Sequence, residues 1–265
     1  MIKTTIGRLL NTRKNCAAMN MAIDEAILLA QKAQPQPTLR FYDWTQPAFS
    51  FGYFQDIAAE VDVAACRAAG IELVKRLTGG GTVVHGWELT WTLVLPRAAR
   101  SAASGEMSVP EAYQRIGECL VAAMTQLGIP AQRYVNAVNV DAPNICLTKP
   151  AQHDVILNGK KVAGVSVRRN RNGLLFQGYI SVAMPPATVL ARISKHTEGG
   201  LLVREKSTAI HAAGYAITRD ALIQAICETF HLGITFLSGE LSPTERAQAA
   251  VLAKTKYAAA AWNFR

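Results

Sequence analysis

The segment HDVILNGKKVAGVSVRRNRNGLLFQGYISV, which covers residues 153–182, constrains the fold more than any other stretch of the chain. Three β-forming runs follow one another in it, and the dipeptides Asn158-Gly159 and Asn172-Gly173 separate them. An Asn-Gly pair readily adopts the positive φ angles that a two-residue hairpin turn requires. The segment therefore predicts an antiparallel meander of three strands.

The rest of the chain mixes helical and β patterns without strict alternation. Apolar periodicity and end signals typical of helices occur at residues 20–34, 56–70, 110–128, 218–233 and 242–263. Ser242 and Glu245 predict a capping box at the start of the last of these, and small residues predict a loop at 97–108. Short aromatic or β-branched runs that indicate strands occur at 38–44, 48–54, 71–76 and 89–96. This order predicts an α+β fold with mixed or antiparallel sheets flanked by helices. Neither an internal repeat nor a linker is evident, so we expect one domain over residues 1–265.

Composition narrows the cellular setting. Half of the 265 residues are hydrophobic, which allows a substantial core. The chain has no run of eighteen apolar residues, and its first residues lack the apolar stretch of a secretory signal, so we expect a cytoplasmic protein that does not enter a membrane. The five cysteines are odd in number and scattered without a C-x-x-C pair, which argues against both a disulfide framework and a metal site.

The formal net charge of +9 favours an anionic partner. Charge alone does not choose among nucleic acid, phosphate, a membrane surface and an acidic protein. The sequence contains no zinc-finger spacing and no run of five or more basic residues, so support for nucleic acid is weak.

The stretch KRLTGGGTVVH, residues 75–85, is the first candidate for chemistry. Gly79, Gly80 and Gly81 lack a Cβ, so their backbone is able to approach a ligand and offer N–H groups to an oxygen-rich or anionic group, with charge added by Lys75 and Arg76. A tight structural loop fits the spacing equally well. The stretch matches neither a Walker loop nor a G-x-G-x-x-G fingerprint. His85 either lines the same site or serves as a structural hydrogen-bonding residue.

Lys161 stands in the run KVAGVSVRR. In a regular strand it shares a face with Ala163, Val165 and Val167, and so heads an apolar row. Partial desolvation there would lower the pKa of Lys161 and suit it to exchange a proton or hold a carbonyl oxygen. The alternative is that the side chain extends along the surface to water.

Cys146 stands in DAPNICLTKPAQHD, residues 141–154, a stretch whose prolines predict a loop. A loop cysteine beside cations is a candidate nucleophile, because nearby positive charge favours the thiolate. The alternative is an inert, half-buried thiol.

Several stretches together resemble the superfamily of biotin and lipoate protein ligases and octanoyltransferases. KRLTGGGTVVH resembles the family's R-R-x-x-G-G-G-x-V-x-H motif, and NGKKVAG resembles its G-x-K-[IV]-x-G lysine motif. The stretches NMAIDEA, LRFYDWTQPAFSFGYFQ and KYAAAAWNF are similar to the lipoate branch, and all five occur in the family's order.

The resemblance implies a ligase-like α+β catalytic domain whose mixed sheets enclose an acyl-binding tunnel. It implies that Lys161 is the essential lysine. It also implies a substrate pocket formed by seven residues, which are Arg76, Thr78, Gly79, Gly80, Gly81, His85 and Gly164.

The same superfamily contains two activities. Lipoate ligases use ATP and Mg to make an acyl-adenylate, whereas octanoyltransferases take octanoate from acyl carrier protein without a cofactor, through a cysteine thioester. The stretch CLTKPAQHD resembles the C-F-x-x-P-x-x-x-[DE] loop of the octanoyltransferase branch typified by bacilli. Cys146, Pro150 and Asp154 occupy the fixed positions of that pattern. Cys146 lies fifteen positions before Lys161. The resemblance thus favours Cys146 as nucleophile.

The sequence therefore predicts transfer of an octanoyl or lipoyl group from acyl carrier protein to a lysine of a lipoyl-carrier domain, such as the glycine cleavage H protein or a 2-oxoacid dehydrogenase E2. One alternative is an ATP-dependent lipoate ligase in which Cys146 is incidental. Another is a non-catalytic homologue that binds acyl groups, or binds nucleic acid through the basic turn at residues 168–171. Three stretches depart from the family pattern: Lys75 in place of the first motif arginine, GVSV at 164–167, and FQGYI at 176–180, where transferases often read Q-H-G-S.

Overall fold

The computed structural model describes residues 5–97, 108–135, 145–148, 150–195, 198–230 and 232–265. In these residues the strands form an eight-stranded sheet and a three-stranded sheet. The larger sheet contains β1 (Thr5–Asn15), β2 (Thr38–Trp44), β6 (Glu88–Pro96), β7 (Gln132–Arg133), β8 (Val155–Leu157), β9 (Lys160–Asn170), β10 (Gly173–Ser181) and β11 (Ile234–Ser238). The smaller sheet contains β3 (Ala48–Phe51), β4 (Glu72–Lys75) and β5 (Val83–His85).

The strand order of the larger sheet is β11-β1-β2-β6-β10-β9-β8-β7, and that of the smaller sheet is β4-β3-β5. Strand β1 runs parallel to both of its neighbours, β11 and β2, whereas β2, β6, β10, β9, β8 and β7 pair antiparallel in turn. The predicted α+β fold with mixed sheets is confirmed.

The meander is present, with one correction to its turns. Asn158 and Gly159 form the first turn with φ angles of 52° and 76°, as the Asn-Gly pair predicts. The second turn lies one residue earlier than predicted, because Gly173 already pairs with Asn170. The Asn170 side chain accounts for the shift, since its Oδ1 accepts hydrogen bonds from the amides of Asn172 (2.8 Å) and Gly173 (3.3 Å) and so closes the turn itself.

The helices follow the predicted segments with changes at their ends. The helices are α1 (Ala17–Ala30), α2 (Ile57–Glu60), α3 (Val63–Ala68), α4 (Val109–Gln126), α5 (Ala187–Leu190), α6 (Gly199–Lys206), α7 (Arg219–Thr229), α8 (Pro243–Leu252) and α9 (Ala260–Asn263), in the part of the chain that is described. The segment 56–70 divides in two because Asp62 caps a new helix. The predicted capping box of Ser242 and Glu245 is confirmed. The predicted loop at 97–108 lies almost wholly outside the described residues.

Helices cover both faces of the larger sheet. Helices α4 and α7 pack together against one face, in the core cluster that contains Trp91 and Phe176. Helix α1 packs against β6 and β10 on the other face, together with α8. The smaller sheet has its own cluster around Phe49 and Phe51, and this cluster reaches Cys146 and Tyr179. No described helix combines the length and the apolar character needed to cross a membrane.

Candidate active site

A bulge at the start of β9 turns Lys161 into the site. Val155 pairs with Ala163 but Ile156 pairs with Lys161, so β9 holds one extra residue there. A Cβ built on Gly164 would lie 3.1 Å from Lys161 Nζ, which places the ammonium on the face of Gly164. The prediction that Lys161 shares the face of Ala163 and the later valines is therefore wrong, because it assumed a regular strand.

Lys161 connects Cys146 to Asp154. Its Nζ lies 2.6 Å from Oδ2 of Asp154, 2.9 Å from the backbone oxygen of Cys146 and 3.5 Å from Cys146 Sγ. The side chains of Lys161 and Asp154 are 2% and 3% exposed. A buried ammonium between a carboxylate and a sulfur is well placed to stabilise negative charge that develops on that sulfur.

The pKa of Lys161 is raised, contrary to the prediction. Burial alone lowers the pKa of this lysine, but Cys146 and Asp154 together raise it more than burial lowers it. Burial also raises the pKa of Asp154, against the opposing effect of Lys161. These contacts therefore favour the charged ammonium form of Lys161, which donates hydrogen bonds, over the neutral amine.

Cys146 begins a single 3-10 turn, Cys146–Thr148, and is held against the glycine loop. Its amide donates to the carbonyl of Thr82, the residue after Gly81, at 2.9 Å. The Tyr179 hydroxyl lies 3.9 Å from Cys146 Sγ. Burial, followed by the nearby Cys146, raises the pKa of Tyr179 well above its usual value, so the hydroxyl keeps its proton. Of the predicted loop 141–154, residues 141–144 and 149 lie outside the described part of the chain.

The glycine loop is held by the side chain of Arg76. Its guanidinium donates to Thr78 Oγ1 (3.2 Å), to the carbonyl oxygen and hydroxyl of Ser50 (2.8 and 3.2 Å), and to the carbonyl oxygens of Gly79 (2.7 Å) and Gly81 (2.8 Å). These five contacts match the five N–H groups of a guanidinium. Arg76 therefore lines the cavity, but its N–H groups donate to Ser50 and to the loop and hold the loop in place.

Glycine is needed at Gly80 of the loop and at Gly52, which faces it. Gly80 has a φ of 91°, which side chains rarely adopt. Facing it, a Cβ on Gly52 would lie 1.9 Å from the Gly80 carbonyl oxygen. The amides of Gly79, Gly80 and Gly81 donate to no acceptor within the described residues. They are thus available to an oxygen of a bound molecule.

His85 is one member of a buried chain of hydrogen bonds. Its Nδ1 lies 2.6 Å from Glu88 Oε1 and its Nε2 lies 2.7 Å from Ser50 Oγ, while its ring stacks on Trp44 at 3.9 Å. Burial raises the pKa of Glu88, but His85 and the hydrogen bonds to the carboxylate together lower it by more than burial raises it, so the net shift is downward. Because Ser50 in turn contacts Arg76, the chain extends from Glu88 to the glycine loop.

Thr78 lies beneath the cavity and does not line it. Its hydroxyl donates to Gln177 Oε1 at 2.8 Å and accepts from Ser166 Oγ at 2.9 Å. Gln177 donates onward to Asp24 at 2.7 Å, and Asp24 forms a buried ion pair with Arg40. Thr78 is itself fully buried in this polar network under the cavity, and its predicted contact with substrate stays a prediction.

The cavity bounded by these groups has a volume of about 330 Å³. It brings together nearly all of the predicted site residues, which are Arg76, Gly79, Gly80, Gly81, His85, Cys146, Lys161 and Gly164. Apolar side chains from Met21, Val83, Ile145, Val165 and Val167 form much of the remaining wall. Such a volume and lining suit a small ligand with an apolar chain. Lys75 faces away from the cavity, since its Nζ donates to the backbone oxygen of Arg265 at 2.9 Å.

Sequence reasoning missed several groups in this site. Tyr179 and Gln177 stand in FQGYI, which was identified only as a departure from the family pattern, and Ser50 is a short polar residue inside an aromatic run, so no role was predicted for them. Asp154 was visible only as a motif position, and its ion pair with Lys161 required the structure. The described residues contain no group of three or more potential metal ligands.

The fold agrees with what comparisons with known proteins show. The family described as the lipoyl protein ligase A/B catalytic domain matches residues 16–231. An octanoyltransferase LipM from Kyrpidia tusciae is 33% identical, with 97% of this chain and 98% of the relative covered. Another from Symbiobacterium thermophilum is 34% identical, with 98% and 99% covered.

Solved structures give the same relationship. A lipoate-protein ligase A whose crystal structure contains ATP superposes with a TM-score of 0.82 at 25% identity, covering 98% of this chain and 99% of that one. A bipartite lipoate protein ligase from Thermoplasma acidophilum, studied with its E2 lipoyl domain, superposes with a TM-score of 0.77 at 23% identity, covering 98% and 96%. The chain therefore belongs to the lipoyl protein ligase A/B catalytic domain family.

Proposed function

We propose that this protein transfers an octanoyl group from an acyl-carrier thioester to a lysine of a lipoyl-carrier domain, through a thioester on Cys146. The observation that carries the proposal is the buried Lys161 ammonium, 3.5 Å from Cys146 Sγ, inside a largely apolar cavity of about 330 Å³. The near full-length similarity to octanoyltransferases supports the same activity.

In the first half-reaction the Cys146 thiolate attacks the carbonyl carbon of the octanoyl thioester. A new sulfur–carbon bond forms, the bond between the acyl carbon and the carrier's sulfur breaks, and the carrier leaves as a thiolate that takes a proton from water. Lys161 stabilises the negative charge on Cys146 before attack and the charge on the carbonyl oxygen during it. Asp154 keeps the ammonium in place through the 2.6 Å ion pair.

In the second half-reaction the neutral amine of the acceptor lysine attacks the Cys146 thioester. A nitrogen–carbon bond forms, the sulfur–carbon bond to Cys146 breaks, and the nitrogen loses one proton to solvent. The leaving Cys146 thiolate returns to its place beside Lys161. The enzyme thus ends in its starting state without consuming a cofactor.

The glycine loop supplies the second set of donors. The amides of Gly79, Gly80 and Gly81 have no acceptor among the described residues, and the loop adjoins Cys146 through Thr82. Amides held in advance by Arg76 stabilise an oxyanion without reorganising during the reaction. The apolar walls hold the octanoyl chain.

A second candidate is ATP-dependent lipoate ligation, because the ligase that superposes with a TM-score of 0.82 contains ATP. The described cavity fits a triphosphate less well. Its two cations, Arg76 and Lys161, are engaged by protein groups on all sides, which leaves the glycine amides as the donors toward an anion. ATP with Mg therefore belongs to the alternative only.

The decisive experiment is acyl transfer without ATP. Purified protein is incubated with octanoyl-acyl carrier protein and a lipoyl domain, and the acceptor is followed by intact-mass spectrometry. We expect the wild type to acylate the domain and Cys146→Ala to be inactive. Cys16→Ala is the matched control, since Cys16 is exposed and lies outside the cavity.

Two outcomes would replace this proposal. Transfer that requires free lipoate or octanoate with ATP, and that survives in Cys146→Ala, identifies a ligase. No transfer under either condition, together with tight salt-sensitive nucleic-acid binding, identifies a non-catalytic homologue.

A further inference from the structure

The surface beside the glycine loop carries an unusually exposed aromatic side chain. Phe54 is 87% exposed, the largest value among the exposed large hydrophobic residues of the described chain. It packs edge-on against Tyr53, with ring centroids 5.0 Å apart. Solvation of a phenyl ring in this way costs free energy that a binding partner would recover.

Two arginines surround this pair of rings. The guanidinium carbons of Arg168 and Arg265 each lie 4.6 Å from the centre of the Tyr53 ring, and Arg265 also stacks on Trp262 at 3.7 Å. Neither arginine forms an ion pair with a described residue. We call Tyr53, Phe54, Arg168 and Arg265 the basic rim. Its charge is partly offset by Asp56, an exposed helix cap two residues from Phe54.

The basic rim adjoins the exposed part of the glycine loop. The amide of Tyr53 donates to the carbonyl of Thr78 at 2.9 Å, and Gly52 packs directly on Gly80, the exposed member of the glycine loop. Arg168 follows Ser166 on the same face of β9, and Ser166 lines the cavity. A molecule bound on the rim would therefore reach the cavity past Gly80 and Ser166.

The distance from Arg168 of the basic rim to the Cys146 site favours the acyl donor over the acceptor domain as the partner that binds the rim. Arg168 lies seven positions after Lys161 along β9, which corresponds to about 23 Å of strand. An acceptor lysine side chain is far shorter than this and must be carried by a domain that docks closer to Cys146. A donor that holds its acyl group on a long flexible arm reaches across the gap.

We infer that the basic rim is the docking surface for the acyl donor, an acidic carrier protein that presents octanoate as a thioester at the end of an extended prosthetic arm. The inference rests on the proposed octanoyl transfer. Phe54 supplies the apolar contact, and Arg168 and Arg265 attract carboxylates of the carrier. The acceptor domain uses a different surface.

The test compares Arg168→Glu with Arg169→Glu. Both changes reverse one charge in neighbouring exposed or half-exposed positions of β9, but of these two arginines only Arg168 has its guanidinium over the Tyr53 ring. For Arg168→Glu we expect kcat/KM with octanoyl-acyl carrier protein to fall about tenfold, mainly through KM and less so at high salt. Arg169→Glu should stay near wild type. Phe54→Ser, a change at an exposed site, should weaken the same donor.

A small donor separates this inference from the proposed function. With octanoyl-pantetheine, which has an arm but no protein surface, Arg168→Glu should retain the wild-type rate of acyl transfer to a lipoyl domain. Equal effects of Arg168→Glu and Arg169→Glu, or an effect on the KM for the lipoyl domain in place of the carrier, would overturn the docking surface. Failure of both donors in the wild type would instead refute octanoyl transfer itself.

Discussion

Replacing Gly164 by alanine should slow acyl transfer by displacing Lys161. A Cβ at this position would lie 2.9 Å from Lys161 Cε, 3.1 Å from Lys161 Nζ and 3.2 Å from Asp154 Oδ1. Ordinary van der Waals contact begins at 3.4 Å, so the lysine must withdraw by a few tenths of an ångström or more. Because misplacement of a reacting group by 1 Å costs about 100-fold in rate, we expect kcat to fall roughly tenfold.

Two measurements check this expectation. The first is kcat for acyl transfer, and the second is the rate at which iodoacetamide alkylates Cys146, which reports the Lys161–sulfur contact without any substrate. Gly70→Ala serves as control, since a Cβ there meets nothing within 4 Å although the φ of 69° makes the change destabilising. If Gly164→Ala keeps both rates while its melting temperature falls like that of Gly70→Ala, the argument that Gly164 sets the position of Lys161 is refuted.

The remaining predictions concern the groups around the cavity. Arg76→Lys loses the hydrogen bonds to the Gly79 and Gly81 carbonyls, so we expect the free energy of unfolding to fall by about 3 kcal/mol and the glycine amides to exchange hydrogen faster. Unchanged exchange would contradict the conclusion that Arg76 holds the glycine loop. Asp154→Asn removes the carboxylate charge beside Lys161 while burial remains, so the pKa of Lys161 should fall. The kcat for acyl transfer should then acquire a new decline toward high pH, where a neutral Lys161 no longer stabilises the oxyanion, and an unaltered pH profile would rule out this role. Because the pKa of Glu88 is lowered in the folded protein, the Glu88 carboxylate of the unfolded chain takes up a proton first as the pH falls. The stability that this carboxylate contributes is therefore present above about pH 4.3 and is lost below it. The free energy of unfolding, measured with urea, should therefore fall less between pH 7 and pH 3 for Glu88→Gln than for the wild type. Equal losses in the two proteins would contradict this role of Glu88.

The sequence predicted the sheet class and most of the elements because their signals are local. Apolar alternation marked the strands, the Asn158-Gly159 turn fixed one hairpin, and Ser242 with Glu245 marked a helix start. The second hairpin was misplaced by one residue because a side chain, Asn170, closes that turn. The single-domain organisation over residues 1–265 stays a prediction.

The chemistry of the site could be predicted only in part. The glycine loop, Cys146 and Lys161 were identified from family motifs, and the structure brings them into one cavity. The predicted orientation and the predicted pKa of Lys161 were wrong because both depend on long-range structure. A bulge turns the side chain, and Asp154 and Cys146 together raise the pKa of Lys161 more than burial lowers it. No pattern along the chain encodes that balance.

The most direct test of the whole account is the covalent state of Cys146 in a single turnover. Wild-type protein is mixed with octanoyl-acyl carrier protein and no acceptor, quenched in acid and analysed by peptide mass spectrometry, and a second sample receives a lipoyl domain before the quench. We predict one octanoyl group on the peptide that contains Cys146 in the first sample, and its loss in the second as the domain gains it. An acceptor that becomes octanoylated while Cys146 never carries the group would contradict the central claim.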